Sequence, residues 1–370
     1  MLFTNIKQYS LIHQSTTMDI VNFIPEFLDY DDEESDTLCI QEPLKITDIE
    51  DIVSYCNGHP FFTKLLIASV PDEAIPTISQ LISALENIIQ LELFSCHEEI
   101  LQSINGNKKI THLVMECQDH NENVIEDADK FIEILAQNTN LTTLKLSGLN
   151  IWKPISIHLK SHPTLLNFQI MHSKDKTLNE VNDLANYLTD NATLQNLDIS
   201  YYKFEDNVEF ENFCKALTNN KVLKGLNFSG NKLSKNMISL FNKYLTENNT
   251  LTHLNLSKVT DHTNIEGITQ IFNNNTTLVA LDISYNIYSQ SVWNDLYQYS
   301  LKNTSLTTLK TSVQLPDKLQ QQLYHNMNQK KVNQKRSAYF DTEDDQIIAS
   351  SKLKLSLEAF YKTSLNLFAL

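Results

Sequence analysis

Leu278-Val279-Ala280-Leu281-Asp282-Ile283-Ser284-Tyr285-Asn286 has the same pattern as Leu223-Lys224-Gly225-Leu226-Asn227-Phe228-Ser229-Gly230-Asn231. Both run apolar, two variable, apolar, one variable, apolar, two variable, asparagine. The shorter core, L-x-x-L-x-L, returns at Leu141, Leu194 and Leu251, and in weaker form at Phe62, Ile88, Ile110, Leu165 and Leu306. Successive starts lie 22 to 31 residues apart. Thr37-Leu38-Cys39-Ile40 reads as a degenerate eleventh copy.

The L-x-L portion has period two, that of a strand with one buried face. Between the copies lie segments of helical spacing: 124–137 (Ile125, Ala128, Phe131, Ile132, Leu135), 178–188 and 234–245. Asn or Asp flanks these helices, where capping and turn chemistry favour it. A strand, a turn and a helix in about 28 residues cannot bury their own apolar faces, so neighbouring units must stack on one another.

This repeat resembles the leucine-rich repeat family, in its helix-containing, ribonuclease-inhibitor-like class. The resemblance implies an α/β solenoid, a curved horseshoe with a parallel β-sheet on the concave face and helices on the convex face. In that family the asparagine holds the turn after the strand. Cys96 stands at that position in one unit, which the family allows; Tyr202 and Val259 stand there in two others and leave the turn geometry of those units open. The organisation expected is an N-terminal cap and acidic loop (1–36), a solenoid of about ten units (37–315) and a C-terminal helical cap or tail (316–370).

Composition narrows the function. With 29 Lys+Arg against 45 Asp+Glu the net charge is −16, which lacks the basic footprint of a general nucleic-acid binder. Arg336 is the only arginine, so the arginine of GTPase-activating members of this structural class has no counterpart on an early repeat. No cysteine follows Cys214, so no catalytic cysteine lies beyond the repeats. Glycine-rich phosphate loops, Gly-x-Ser-x-Gly and His-Glu-x-x-His are absent. Five scattered cysteines do not form a disulfide framework, and the chain shows neither a signal peptide nor a long apolar run. A cytoplasmic or host-cytosolic protein, monomeric, with no cofactor and no metal, is expected. The Cys96, His97, Cys117, His120 and His112 set matches the thiolate and imidazole preference of zinc, but Cys96 also fits the repeat turn and a lone buried Cys is common in cores, so no metal is expected there. His158, His162 and His172 are a weaker set.

What remains is binding to a partner protein through the concave face. One outward column reads Gln90, His112, Thr143, Asn167, Asn196, Gly225, His253, Ala280, Thr308, and the next Glu92, Val114, Lys145, Gln169, Asp198, Asn227, Asn255, Asp282, Lys310. A third runs Phe94, Glu116, Ser147, Met171, then five serines. The expected contact residues are Glu92, Phe94, Glu116, Lys145, Met171, Asp198, Tyr202, Asn227, Asn255, Asp282 and Lys310. Aromatic anchors are expected in the N-terminal and middle units, with Trp152 and Tyr201 beside Phe94, Met171 and Tyr202. The low-arginine composition and the tail are similar to leucine-rich-repeat effectors that intracellular bacteria deliver by type IV secretion. The alternatives are a resident cytosolic regulator or inhibitor of an enzyme, and an enzyme with an unrecognised site. Residues 316–329 predict a helix opening at Pro316; Lys330–Arg336 is read as its solvated end, and 352–370 as an amphipathic cap.

Overall fold

The computed structural model describes residues 37–40, 53, 54, 57, 58, 63–67, 72–93, 97–116, 128–147, 151–171, 180–259, 268–286, 290–312 and 314–340. Eleven strands form one parallel sheet in sequence order: β1 (Thr37–Ile40), β2 (Lys64–Ile67), β3 (Gln90–Leu93), β4 (His112–Glu116), β5 (Thr143–Ser147), β6 (Asn167–Met171), β7 (Asn196–Asp198), β8 (Gly225–Asn227), β9 (His253–Asn255), β10 (Ala280–Asp282) and β11 (Thr308–Lys310). The degenerate copy at Thr37–Ile40 is thus a true strand, paired in parallel with β2.

Helices alternate with the strands: α1 (Ile75–Ala84), α2 (Glu98–Gly106), α3 (Ala128–Ala136), α4 (Trp152–His158), α5 (Val181–Asp190), α6 (Val208–Asn219), α7 (Lys235–Glu247), α8 (Ile268–Asn274), α9 (Gln290–Lys302) and α10 (Asp317–Phe340). Adjacent strands sit about 4.8 Å apart and packed helices about 8–10 Å apart. The stack therefore bends with the sheet on its inner side, giving the expected leucine-rich-repeat solenoid.

The core is a column of in-register apolar side chains: Leu65, Leu91, Leu113, Leu144, Phe168, Leu197, Leu226, Leu254, Leu281 and Leu309, all buried. Each contributes about 1.5–3 kcal/mol by leaving water. Between β7 and β9 the core turns aromatic. Phe228 lies 4.9 Å from Phe204 and 5.3 Å from Phe241, centroid to centroid, with Phe210 and Phe213 packed alongside.

An asparagine amide closes the helix-to-strand turn after α2, α3 and each of α5 to α9. Asn220 is representative: its Nδ2 donates to Leu188 O and Asn191 O of the preceding unit, and its Oδ1 accepts from Val222 N and Leu223 N. Asn107, Asn138, Asn191, Asn248, Asn275 and Asn303 act alike. One unit substitutes a histidine. His162 Nε2 meets Asn138 O at 2.7 Å, and Nδ1 accepts from Leu165 N at 3.2 Å. Only the neutral ring, with its proton on Nε2, reproduces both halves of the amide.

Two boundaries differ from the sequence reading. Ser234 is the N-cap of α7, accepting from Met237 N, and the helix runs to Glu247. The helix after the last strand does not stop at Gln329 but continues to Phe340, because nothing between those residues breaks a helix. Asn326 on α10 donates to Asn303 O and Leu306 O like a repeat asparagine, yet its Oδ1 accepts from Gln322 instead of a turn. The regions expected as N-terminal cap (1–36) and amphipathic cap (352–370) lie outside the described residues.

Candidate functional site

Register aligns the outward columns as the repeat spacing implies. Gln90, His112, Thr143, Asn167, Asn196, Gly225, His253, Ala280 and Thr308 pair in sequence across the sheet, and so do Glu92, Val114, Lys145, Gln169, Asp198, Asn227, Asn255, Asp282 and Lys310. In the first column Asn196 Nδ2 donates to Asn167 Oδ1 (2.7 Å) and Asn167 Nδ2 to Thr143 Oγ1 (3.1 Å). Gly225 leaves the space over which the Asn196 amide leans; any Cβ there would strike Asn196 Oδ1.

The second column has two characters. Glu92 accepts from Gln90, and Lys145 is half-buried between His112 and Asp198. Burial, with Lys145 adding to it, holds the His112 pKa below the usual histidine value. Burial also raises the Asp198 carboxyl, against the hydrogen bonds from Ser200 and Asn227 and the charge of Lys145. From Asp198 onward the column is spent on the backbone. Asp198, Asn227, Asn255 and Asp282 each accept from the N–H two residues ahead, at Ser200, Ser229, Ser257 and Ser284. These short side chains close Asx turns, so four expected contact residues serve the turn first.

Glu116 and Met171 end β4 and β6, both in register with Ser147. Phe94, Cys96, Cys117, His120 and His172 lie outside the described residues.

Two expected anchors are not on the concave face. Tyr202 is 2% exposed and Trp152 is fully buried. Tyr202 occupies the repeat asparagine position, which points into the core, and a large ring there fills the space the amide would leave. Trp152 begins α4 and stacks edge-on against Phe168 at 5.9 Å. The turn survives these substitutions. Tyr201, Gly230, Lys258 and Tyr285 take left-handed φ values of 62°, 71°, 56° and 57° in four successive units. Tyr201, Gly230 and Lys258 N–H groups each donate to the serine carbonyl of the next unit, which holds the turns in step.

This left-handed row forms a ridge on the rim where the strands end, and it was not anticipated. Tyr201 is 45% exposed and Tyr285 69% exposed. The Tyr201 ring lies flat over Gly230, where a Cβ would come within 2.6 Å of it. Exposed Lys258 places Nζ 5.9 Å from the Tyr201 centroid and 5.2 Å from that of Tyr285, and donates to Tyr201 Oη at 3.4 Å. Exposed aromatic side chains on this rim therefore extend into the C-terminal units. The signal available was the residue after each serine in the repeat: tyrosine, glycine, lysine, tyrosine. A tyrosine in the left-handed region costs about 1 kcal/mol, and two of them on one edge is an outlier worth a functional reading.

Beyond the ridge, burial pushes the Cys214 thiol up, so it stays protonated at neutral pH and is a weak nucleophile. Among the described residues no three His, Cys, Asp or Glu side chains gather as a metal-holding group, and no helix is long and apolar enough to cross a membrane. Lys330 of α10 is near enough to His253 on β9 to help burial depress the histidine.

No protein-family model and no curated protein matches the chain. Among solved structures it is similar to the leucine-rich repeat-containing protein LegL7 from Legionella pneumophila, at 14% identity over 83% of this chain and 94% of that one, TM-score 0.49. It is also similar to the tropomodulin C-terminal domain of Caenorhabditis elegans (15% identity, 42% of this chain, 98% of that one, TM-score 0.37). The actin-binding site 2 of leiomodin-1 matches at 21% identity over 45% of this chain and 99% of that one, TM-score 0.37.

Proposed function

We propose that this protein is a protein-binding module that engages its partner along the concave sheet and the rim formed by the left-handed turns after β7 to β10. The exposed pair Tyr201 and Tyr285 carries the reading. Interfaces favour tyrosine as a rigid, amphipathic anchor. Both rings are held by backbone turns that a glycine or asparagine would occupy at lower cost. The polar columns behind them, from Lys145 to Lys310, supply a hydrogen-bonding floor whose side chains are mostly engaged already, so they give shape more than affinity.

A delivered effector and a resident regulator would both use this surface, so the geometry supports the binding role common to them. The test is affinity capture from eukaryotic cytosol with quantitative mass spectrometry, using the full chain and its Tyr201→Asn/Tyr285→Asn variant. A protein retained by the wild type and lost by the folded variant is expected. If every retained protein is held equally by the variant, the rim is not the binding edge.

A further inference from the structure

Among the described residues Lys258 is a cation without an anion. Its contacts are the two tyrosine rings and Tyr201 Oη, and among the described residues no carboxylate reaches it. Lys258 donates to Tyr201 Oη, so that hydroxyl keeps its own proton to donate elsewhere. The ridge thus presents an ammonium and a tyrosine O–H, with exposed Tyr285 beside them: donors flanked by ring surface.

We propose that Lys258, clamped between Tyr201 and Tyr285, seats a carboxylate of an acidic segment on the partner protein. This rests on the binding role proposed above and assigns the partner's chemistry at that surface. A carboxylate completes the ion pair and accepts from Tyr201 Oη, while the rings shield it from water and cover the methylenes of an Asp or Glu. A phosphate fits less well, since it favours several cations or an arginine fork. The one arginine, Arg336, is on α10 and outside these turns.

The test selects a phage-displayed random 16-residue peptide library on the full-length protein. Synthetic peptides of each enriched consensus are then titrated against the wild type, Lys258→Gln and Tyr201→Asn/Tyr285→Asn, with folding checked by thermal melting. The expected consensus contains Asp or Glu. Its affinity falls at least tenfold on Lys258→Gln and as much when the peptide's acid is changed to its amide, and the two changes together cost little more than either. A consensus free of acidic residues that survives Lys258→Gln but is lost on the tyrosine variant would overturn the acidic assignment and leave the binding role standing. A phosphoserine in the acid's place that binds tenfold tighter would overturn the carboxylate assignment. Peptides indifferent to both variants would overturn the site and the rim together.

Discussion

The strands β2–β6 and the strands β7–β10 solve the same problem differently. The former have four or five residues, the latter three followed by a left-handed turn. One position makes the difference. At the second outward column the first group carries Leu66, Glu92, Val114, Lys145 and Gln169, while the second carries Asp198, Asn227, Asn255 and Asp282. Only the short Asx side chains can reach the N–H two residues ahead and close the turn. With longer or apolar groups there, pairing runs on: Glu116, Ser147 and Met171 still align across β4, β5 and β6. Polar identity at one site therefore sets strand length, and with it whether a rim of left-handed residues exists at all.

The largest expected effect separates the two cores. Phe228→Ala should cost about 3–5 kcal/mol, because Phe228 joins aromatic rings from two successive units. The chain's two tryptophans report on either side of that seam, Trp152 on α4 and Trp293 on α9. In urea, single-tryptophan variants (Trp152→Phe or Trp293→Phe) in the Phe228→Ala background should show Trp293 responding at lower denaturant than Trp152. Coincident transitions would mean that the two halves remain one cooperative unit.

Next in size is the turn itself. Asn255→Ala should destabilise by about 1–2 kcal/mol through loss of the cap to Ser257 N. Gln169→Ala, at the matching position of β6, should stay within about 0.5 kcal/mol. Equal costs in chemical denaturation would sink the account of strand length given above.

Tyr285→Asn runs the other way. Relief of the left-handed tyrosine should stabilise the fold by about 1 kcal/mol, seen as a raised Tm, while partner affinity falls. A lowered Tm would show that the ring packs more than it strains.

The smallest effect at neutral pH concerns His162→Asn, expected within about 0.5 kcal/mol of the parent. Burial depresses the folded His162 pKa, partly offset by the bond to Asn138. The unfolded chain therefore takes up the proton first. The contribution of His162 to stability is whole above the ordinary value of 6.5 and is lost as pH falls through the depressed folded value. His162→Asn should flatten stability between pH 7 and 5 relative to the wild type; parallel curves would deny the neutral-ring assignment.

The solenoid was legible in the sequence because L-x-x-L-x-L at a regular interval admits few other folds, and even the outward columns could be aligned by counting. Direction was harder to read than order. Tyr202 stands at a position that points inward whether it holds an amide or a ring, so its aromatic character suggested a surface it does not reach. Tyr201 reads as an anchor from its ring alone, and Tyr285 was hidden for the opposite reason: a left-handed turn is normally announced by glycine or asparagine, and only Gly230 gave that sign. The basic cluster Lys330–Arg336 reads as the solvated end of α10, yet charge marks no boundary by itself and the helix runs on to Phe340.

A repeating array has no intrinsic length, and something must tell it where to finish. Asn326 occupies the place where an asparagine in most preceding units turned the chain back to lay down a new strand, and it keeps that residue's bonds to the unit behind. The chain then goes straight on as helix, so no twelfth strand follows β11 among the described residues. The same amide that closes the turn in seven earlier units is here uncoupled from the turn, and among the described residues the sheet ends at β11.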